Sequence, residues 1–266
     1  MRFRKTLLNS ALLATVLNFA VPAAHAVDLL DSVKNAGVLR VGMEGTYPPF
    51  NFRNEAGQLD GYDVAVAKAV ADKLGVKVQF ITTEWAGIIA GLQAGKYDVI
   101  VSQVTITPQR KEAFDFSQPY VYSTAQLIQR ADDKRDFRSL DDLKGKKVGV
   151  GLGTVFADMA KSAPGIDIMT YPGTPEFLND LASGRIDATI DDQVLAPYLI
   201  KTSHLPLRTG AVLKGVNLEA GIPFRKGDPK FAKAVDDALT SMKQDGTLKK
   251  LSIKWFGIDA SHSSTQ

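Results

Sequence analysis

Short apolar runs alternate along this chain with stretches of helical period. Val38-Leu39-Arg40-Val41-Gly42-Met43 predicts a strand that runs into Tyr47-Pro48-Pro49-Phe50, where two prolines exclude a helix. Asn54 to Gly57 has the composition of a turn. Tyr62 to Leu74 predicts a helix, closed by Gly75 at the position after the last turn. Val76 to Ile81 alternates as a strand, Trp85 to Ala94 is helical and ends at Gly95, and Tyr97 to Val101 is an apolar strand. The same order returns further on. Lys147 to Val150 is a strand, Gly151 to Thr154 a turn and Val155 to Ser162 a helix. Ile166 to Tyr171 is a strand, Pro175 to Ser183 a helix and Ile186 to Ile190 a strand. Two more helices follow, Phe231 to Gln244, closed by Gly246, and Leu248 to Trp255.

Strand-helix-strand-helix-strand, twice, predicts two α/β lobes with parallel sheets and helical crossovers. A local repeat supports the pairing. Gly91-Leu-Gln-Ala-Gly95-Lys-Tyr-Asp98 and Leu181-Ala-Ser-Gly184-Arg-Ile-Asp187 each run from a helix end through glycine, a basic and an apolar residue to an aspartate. Ser123 to Arg130 and Leu218 to Arg225 are expected to cross between the lobes. Two lobes joined by paired crossings make a hinge with a cleft, the usual place for a ligand.

The N-terminus changes the reading of charge. Arg2, Arg4 and Lys5 precede an apolar stretch from Leu7 to Val21, then Pro22 and Ala24-His25-Ala26. That order predicts a secretory signal peptide over 1–26, cleaved after Ala26, and a mature chain exported to the periplasm. Its three basic residues leave 29 Lys+Arg against 29 Asp+Glu in the rest, so no basic field invites nucleic acid. Apolar residues are 45% of the 266, which excludes a disordered chain. Cysteine is absent, which excludes disulfides, thiolate metal sites, a cysteine nucleophile and a lipid-anchored cysteine. Gly149-x-Gly151-x-Gly153 lacks dinucleotide-binding spacing, Gly91 to Lys96 is no P-loop, and no G-x-S-x-G elbow occurs. The two histidines outside the leader, His204 and His262, have no ligand-like spacing, so neither metal nor other cofactor is expected.

Candidate chemistry follows the third strand. Ser102-Gln103-Val104-Thr105-Ile106-Thr107-Pro108-Gln109-Arg110 places hydroxyls, an amide and a guanidinium at a strand C-terminus. Arg110 offers the fork geometry that holds a carboxylate through two parallel bonds. Equally, Arg110 alone suits a surface helix, and the Ser/Thr run suits helix capping.

Glu44-Gly-Thr-Tyr-Pro-Pro-Phe50, Gly61-Tyr-Asp63, Val104-Thr-Ile-Thr-x-x-Arg110 and Phe116-Ser-x-Pro-Tyr120 resemble the periplasmic solute-binding proteins of polar amino-acid ABC transporters. Leu143-Lys-Gly-Lys-Lys-Val-Gly149, Asp245-Gly-Thr247 and Lys254-Trp-Phe-Gly257 extend the resemblance from about Leu39 to Gly257. It implies a type II periplasmic-binding-protein fold, with 27–122 and 220–266 as lobe 1 and 123–219 as lobe 2. It also implies a monomer that binds a free polar amino acid and hands it to a membrane permease. By the same resemblance, Arg110, Thr105, Thr154 and Val155 take the ligand carboxylate, the last two at a helix N-terminus that favours an anion. Asp192 takes the ammonium, with Asp191 as competitor; a helix N-cap is the alternative role. Tyr47 and Trp85 flank the side chain, Ser102 and Gln103 contact the ligand, and Glu44 meets a basic side chain or lies on a solvated rim. Gln103 departs from the serine of the basic-amino-acid binders. Glu44 to Phe50, Gln103-Val-Thr-Ile106 and Gly149 to Thr154 are most similar to the cystine-binding branch, with other polar amino acids open.

No enzyme is expected. One alternative is a dehydratase of the cyclohexadienyl (prephenate/arogenate) type, which resembles this family and would need an acid or base in the cleft, for which only Glu44 and Asp192 offer themselves. The other is a binding protein that presents its ligand to a sensor.

Overall fold

The structure, a computed structural model, describes residues 27–263, so the signal-peptide expectation lies outside it. The first half contains α1 (Leu29–Ala36), β1 (Val38–Met43), β2 (Thr46–Tyr47), β3 (Asn51–Arg53), β4 (Leu59–Asp60), α2 (Tyr62–Leu74), β5 (Lys77–Thr82), α3 (Trp85–Gln93) and β6 (Val99–Ile100). Next come α4 (Pro108–Ala113), β7 (Phe114–Phe116), β8 (Val121–Ser123) and β9 (Ala125–Arg130). The second half holds β10 (Lys147–Gly151), α5 (Val155–Ser162), β11 (Asp167–Tyr171), α6 (Thr174–Ala182), β12 (Ala188–Asp192), α7 (Ala196–Ser203) and β13 (Leu207–Val212). The chain finishes with β14 (Leu218–Ala220), β15 (Pro223–Arg225), α8 (Pro229–Gln244) and α9 (Thr247–Phe256).

Two five-stranded sheets carry the fold, ordered β5-β1-β6-β15-β7 and β11-β10-β12-β9-β13. In each, the first three strands are parallel and the last two pairings antiparallel. The parallel cores arise because β1, β6 and β10 are largely apolar and buried, with β12 buried throughout beside them. The local repeat has a structural cause. Asp98 accepts from the Arg40 backbone N–H at 2.9 Å and pairs with the Arg40 guanidinium. Asp187 accepts from the Lys147 N–H at 2.9 Å and pairs with Arg135. Each aspartate locks the third strand of its sheet to the start of the first, and Gly95 and Gly184 supply the positive φ of the preceding turn.

The crossings differ from expectation. Among the described residues the crossing is made by β8 and β14, an antiparallel pair that matches Ser123 with Leu218. The remainder of Ser123 to Arg130 is β9, almost wholly buried inside the second sheet, and Pro223 to Arg225 is β15 inside the first. Crossing and sheet strand are one continuous extended run, so hydropathy does not divide them. The strand expected over Ile186 to Ile190 lies instead at β12, which puts Asp191 and Asp192 within the strand rather than after it. The prolines of the first loop sit beside a small sheet, β2-β3-β4.

Gly61, ahead of α2, has φ +124°, and a Cβ there would meet the carbonyl oxygens of Phe50 and Pro49. Only glycine allows that approach, and it seats Tyr62 and Asp63 under the first loop. Tyr62, Val66 and Val70 of α2 are then buried, each stabilising the fold by roughly 1.5–3 kcal/mol.

Candidate functional site

The C-terminal ends of the parallel strands of both sheets face one cavity with an empty volume of about 510 Å3. Nine of the ten expected residues line it: Glu44, Tyr47, Trp85, Ser102, Gln103, Thr105, Arg110, Thr154 and Val155. Asp192 does not. It lines an adjoining recess of about 280 Å3 that shares Tyr47, Gln103, Thr105 and Phe156 with the main space. Asp191 lies on the main cavity.

Arg110 is held by short-range chemistry. Thr107 caps α4, its Oγ1 accepting from the Arg110 N–H at 3.1 Å, and Pro108 follows at the first helical position. The capping expected of the Ser/Thr run is thus present, and it aims Arg110 at the cleft. Arg110 Nη1 donates to the Thr105 carbonyl at 2.8 Å, and Nη2 crosses to the Gly153 carbonyl at 3.1 Å. The guanidinium lies 5.9 Å from the centre of the Trp85 ring. Among the described residues, two of its five N–H groups have acceptors.

Opposite stands the N-terminus of α5. Thr154 is its N-cap, accepting from Ala157 N–H at 3.1 Å and donating to the Gly151 carbonyl at 2.8 Å. Val155 and Phe156 follow on the cavity wall, with N–H groups that precede any intrahelical acceptor. A guanidinium and a helix N-terminus facing each other across the cavity are together able to hold an anion.

The remaining charge is negative. Glu44 is only 8% exposed and accepts from the Thr46 hydroxyl at 3.1 Å, so it is no solvated rim residue. Burial raises its pKa to about 7, helped by nearby Glu176. Asp191 accepts from the Tyr47 hydroxyl at 2.7 Å, a bond across the cleft, and burial raises it to about 7. Asp192 accepts from Ser123 Oγ at 2.6 Å and from the Val194 N–H at 2.8 Å; burial raises it to about 6. Ser102 spends its hydroxyl inside the protein, accepting from the Glu44 N–H and from Asn51.

These raised acids set a pH dependence. Each binds its proton more tightly folded than unfolded, so between about pH 4 and 7 the native state holds more protons and stability falls as pH rises. The depressed acids Asp133 and Asp245, at about 2, act below that window. The ligand-free protein is expected to melt several degrees higher at pH 5 than at pH 7.5, with a flatter profile in a Glu44→Gln, Asp191→Asn double variant. Identical slopes in thermal melts of the two proteins would place the dependence elsewhere.

Sequence reasoning missed Thr174, Phe156 and Phe177 on the cavity wall. The two phenylalanines occupy apolar helix positions that read as ordinary core.

The model of the bacterial extracellular solute-binding proteins, family 3, matches residues 39–258. The chain is 41% identical to the L-cystine-binding protein TcyJ of Escherichia coli K12, over 96% of both chains. Among solved structures it resembles the ancestral amino acid-binding protein AncCDT-1, a precursor of cyclohexadienyl dehydratase. There the TM-score is 0.80 and the identity 39%, with 86% of this chain and 99% of that one covered. It also resembles an ancestral arginine-binding protein bound to arginine, with TM-score 0.78, 39% identity, and 83% and 99% covered.

Proposed function

Since this chain belongs to family 3 of the bacterial extracellular solute-binding proteins, we propose that it is the substrate-binding component of an amino-acid ABC transporter. It captures a polar amino acid, L-cystine first, between lobe 1 (27–122 and 220–266) and lobe 2 (123–219). It then delivers the ligand to a membrane permease. The leader-like N-terminus directs it to the periplasm, where it acts as a monomer, the cleft being complete within one chain.

One observation carries this reading: a single guanidinium and a helix N-terminus meet at one end of a cavity whose other charges are carboxylates. An α-amino acid has the complementary pattern. Its carboxylate lies between Arg110 and the first turn of α5, beside Thr105. Its ammonium enters the recess at Asp192. Its side chain passes between Tyr47 and Trp85 toward Glu44 and Asp191. The second ammonium of L-cystine meets those two acids. The ligand closes the cleft by bonding to both lobes at once, because only interactions made in the closed state alone shift that equilibrium.

The acidic far end also suits a guanidinium, and an arginine-bound relative with this fold makes L-arginine the second reading. Calorimetry on refolded protein freed of carried-over ligand separates them. The expected result is micromolar or tighter binding of L-cystine and at least tenfold weaker binding of L-arginine. The reverse order would exchange the ligands. No amino acid bound, with prephenate turned over, would replace transport by dehydratase chemistry.

A further inference from the structure

Asp63 is a carboxylate with no exposed surface, in the first turn of α2, on the wall of neither space just described. Its Oδ1 accepts from Gln103 Nε2 at 2.8 Å and from the Tyr120 hydroxyl at 2.9 Å, and its Oδ2 accepts from Asn51 Nδ2 at 2.8 Å. An ionised carboxylate only accepts, so three neighbours must all turn donors toward it. Asn51 has no freedom to reverse, because its Oδ1 already accepts from the Gly45 N–H at 2.7 Å. Tyr120 spends its proton on Asp63 and uses its lone pair on the Gln103 N–H at 3.2 Å.

Gln103 is therefore pinned at both ends. Its backbone lies in the left-handed region at φ +54°, uncommon for a residue with a side chain. Its amide NH2 faces inward to Asp63, which turns Oε1 the other way. That oxygen has no hydrogen-bond partner among the described residues, and Gln103 lines both the main cavity and the recess that holds Asp192. A strained backbone and a fixed amide at the junction of two cavities mark a built acceptor.

We infer that Asp63 is a positioning residue: it orients the Gln103 amide so that Oε1 is presented, beside Asp192, to the ammonium of the bound amino acid. This rests on the amino-acid reading above and adds to it a residue that never touches the ligand.

Calorimetry with L-cystine on the wild type, Asp63→Asn, Gln103→Met and the double variant tests it. Each single variant is expected to bind about tenfold more weakly. The double variant is expected to lie within about twofold of Gln103→Met, because Asp63 has nothing left to orient. Losses that multiply in the double variant would make Asp63 a scaffold residue and overturn the inference. A wild type that binds no amino acid would instead overturn the functional reading. A second measurement needs neither ligand nor a folded Asp63 variant. In wild-type 1H–15N spectra the Gln103 side-chain amide, assigned by its loss in Gln103→Met, is expected to exchange slowly with solvent. Fast exchange would show that Asp63 does not hold it.

Discussion

Arg110→Ala is expected to weaken amino-acid binding by at least about a hundredfold while the unliganded protein melts within a few degrees of wild type. A guanidinium–carboxylate pair supplies two charge-assisted bonds of roughly 1.5–3 kcal/mol each, so their combined loss amounts to a factor of about 10²–10⁴. The unliganded fold has less to lose. Arg110 makes two bonds to carbonyls, from Nη1 to Thr105 and from Nη2 to Gly153, and it stands on a six-residue helix with no buried residue of its own. Arg110→Lys is the sharper control. An ammonium keeps the charge without the fork and is expected to recover less than a tenth of the lost affinity. Calorimetry of both variants with L-cystine checks this. Binding within threefold of wild type in Arg110→Ala would remove Arg110 from the carboxylate site.

That prediction was open to sequence reasoning because Arg110 is positioned locally. Thr107 caps, Pro108 starts the helix, and the arginine follows one turn on; nothing distant is needed to aim it. The inner strands β1, β6 and β10 were legible for a similar reason, since burial on both faces writes itself as a continuous apolar run. The hinge was not. β8 and β9 are consecutive extended segments of like composition, and only sheet pairing divides the crossing from the buried strand. β2, β3 and β4 exist through loop pairing too short to leave a period. Asp63 was visible as part of a motif, but its role depends on which neighbours donate to it, and hydrogen-bond direction has no trace in spacing. The solvated-rim alternative for Glu44 fails for want of the same information: Gly173, distant in the chain, packs against its carboxylate and shares the cavity wall with it.

Asp192→Asn is expected to cost about a hundredfold in affinity for every amino acid. Asp191→Asn is expected to cost about tenfold for L-cystine and L-arginine, yet less than threefold for L-glutamine. The division follows from the strand. Consecutive residues of β12 point to opposite faces, so Asp191 reaches the main cavity and Tyr47 while Asp192 enters the recess and meets Ser123. Burial raises both carboxyls, and Asp191 is raised further by the charges of Asp192 and Glu44 beside it. Ser123 and the Val194 N–H stabilise the charge of Asp192 before any ligand arrives. It is the prepared partner for an ammonium common to all amino acids. Asp191 and Glu44 hold their protons longer and gain charge when a second cation enters between them, an interaction that L-glutamine cannot make. Truncating the partner of a buried charge costs about 2–5 kcal/mol, since the other charge is left unpaired, so the Asp192 variant loses the most. Calorimetry with the three amino acids reads the pattern directly. A hundredfold loss for L-glutamine in Asp191→Asn, with Asp192→Asn near wild type, would move the ammonium site one residue along the strand.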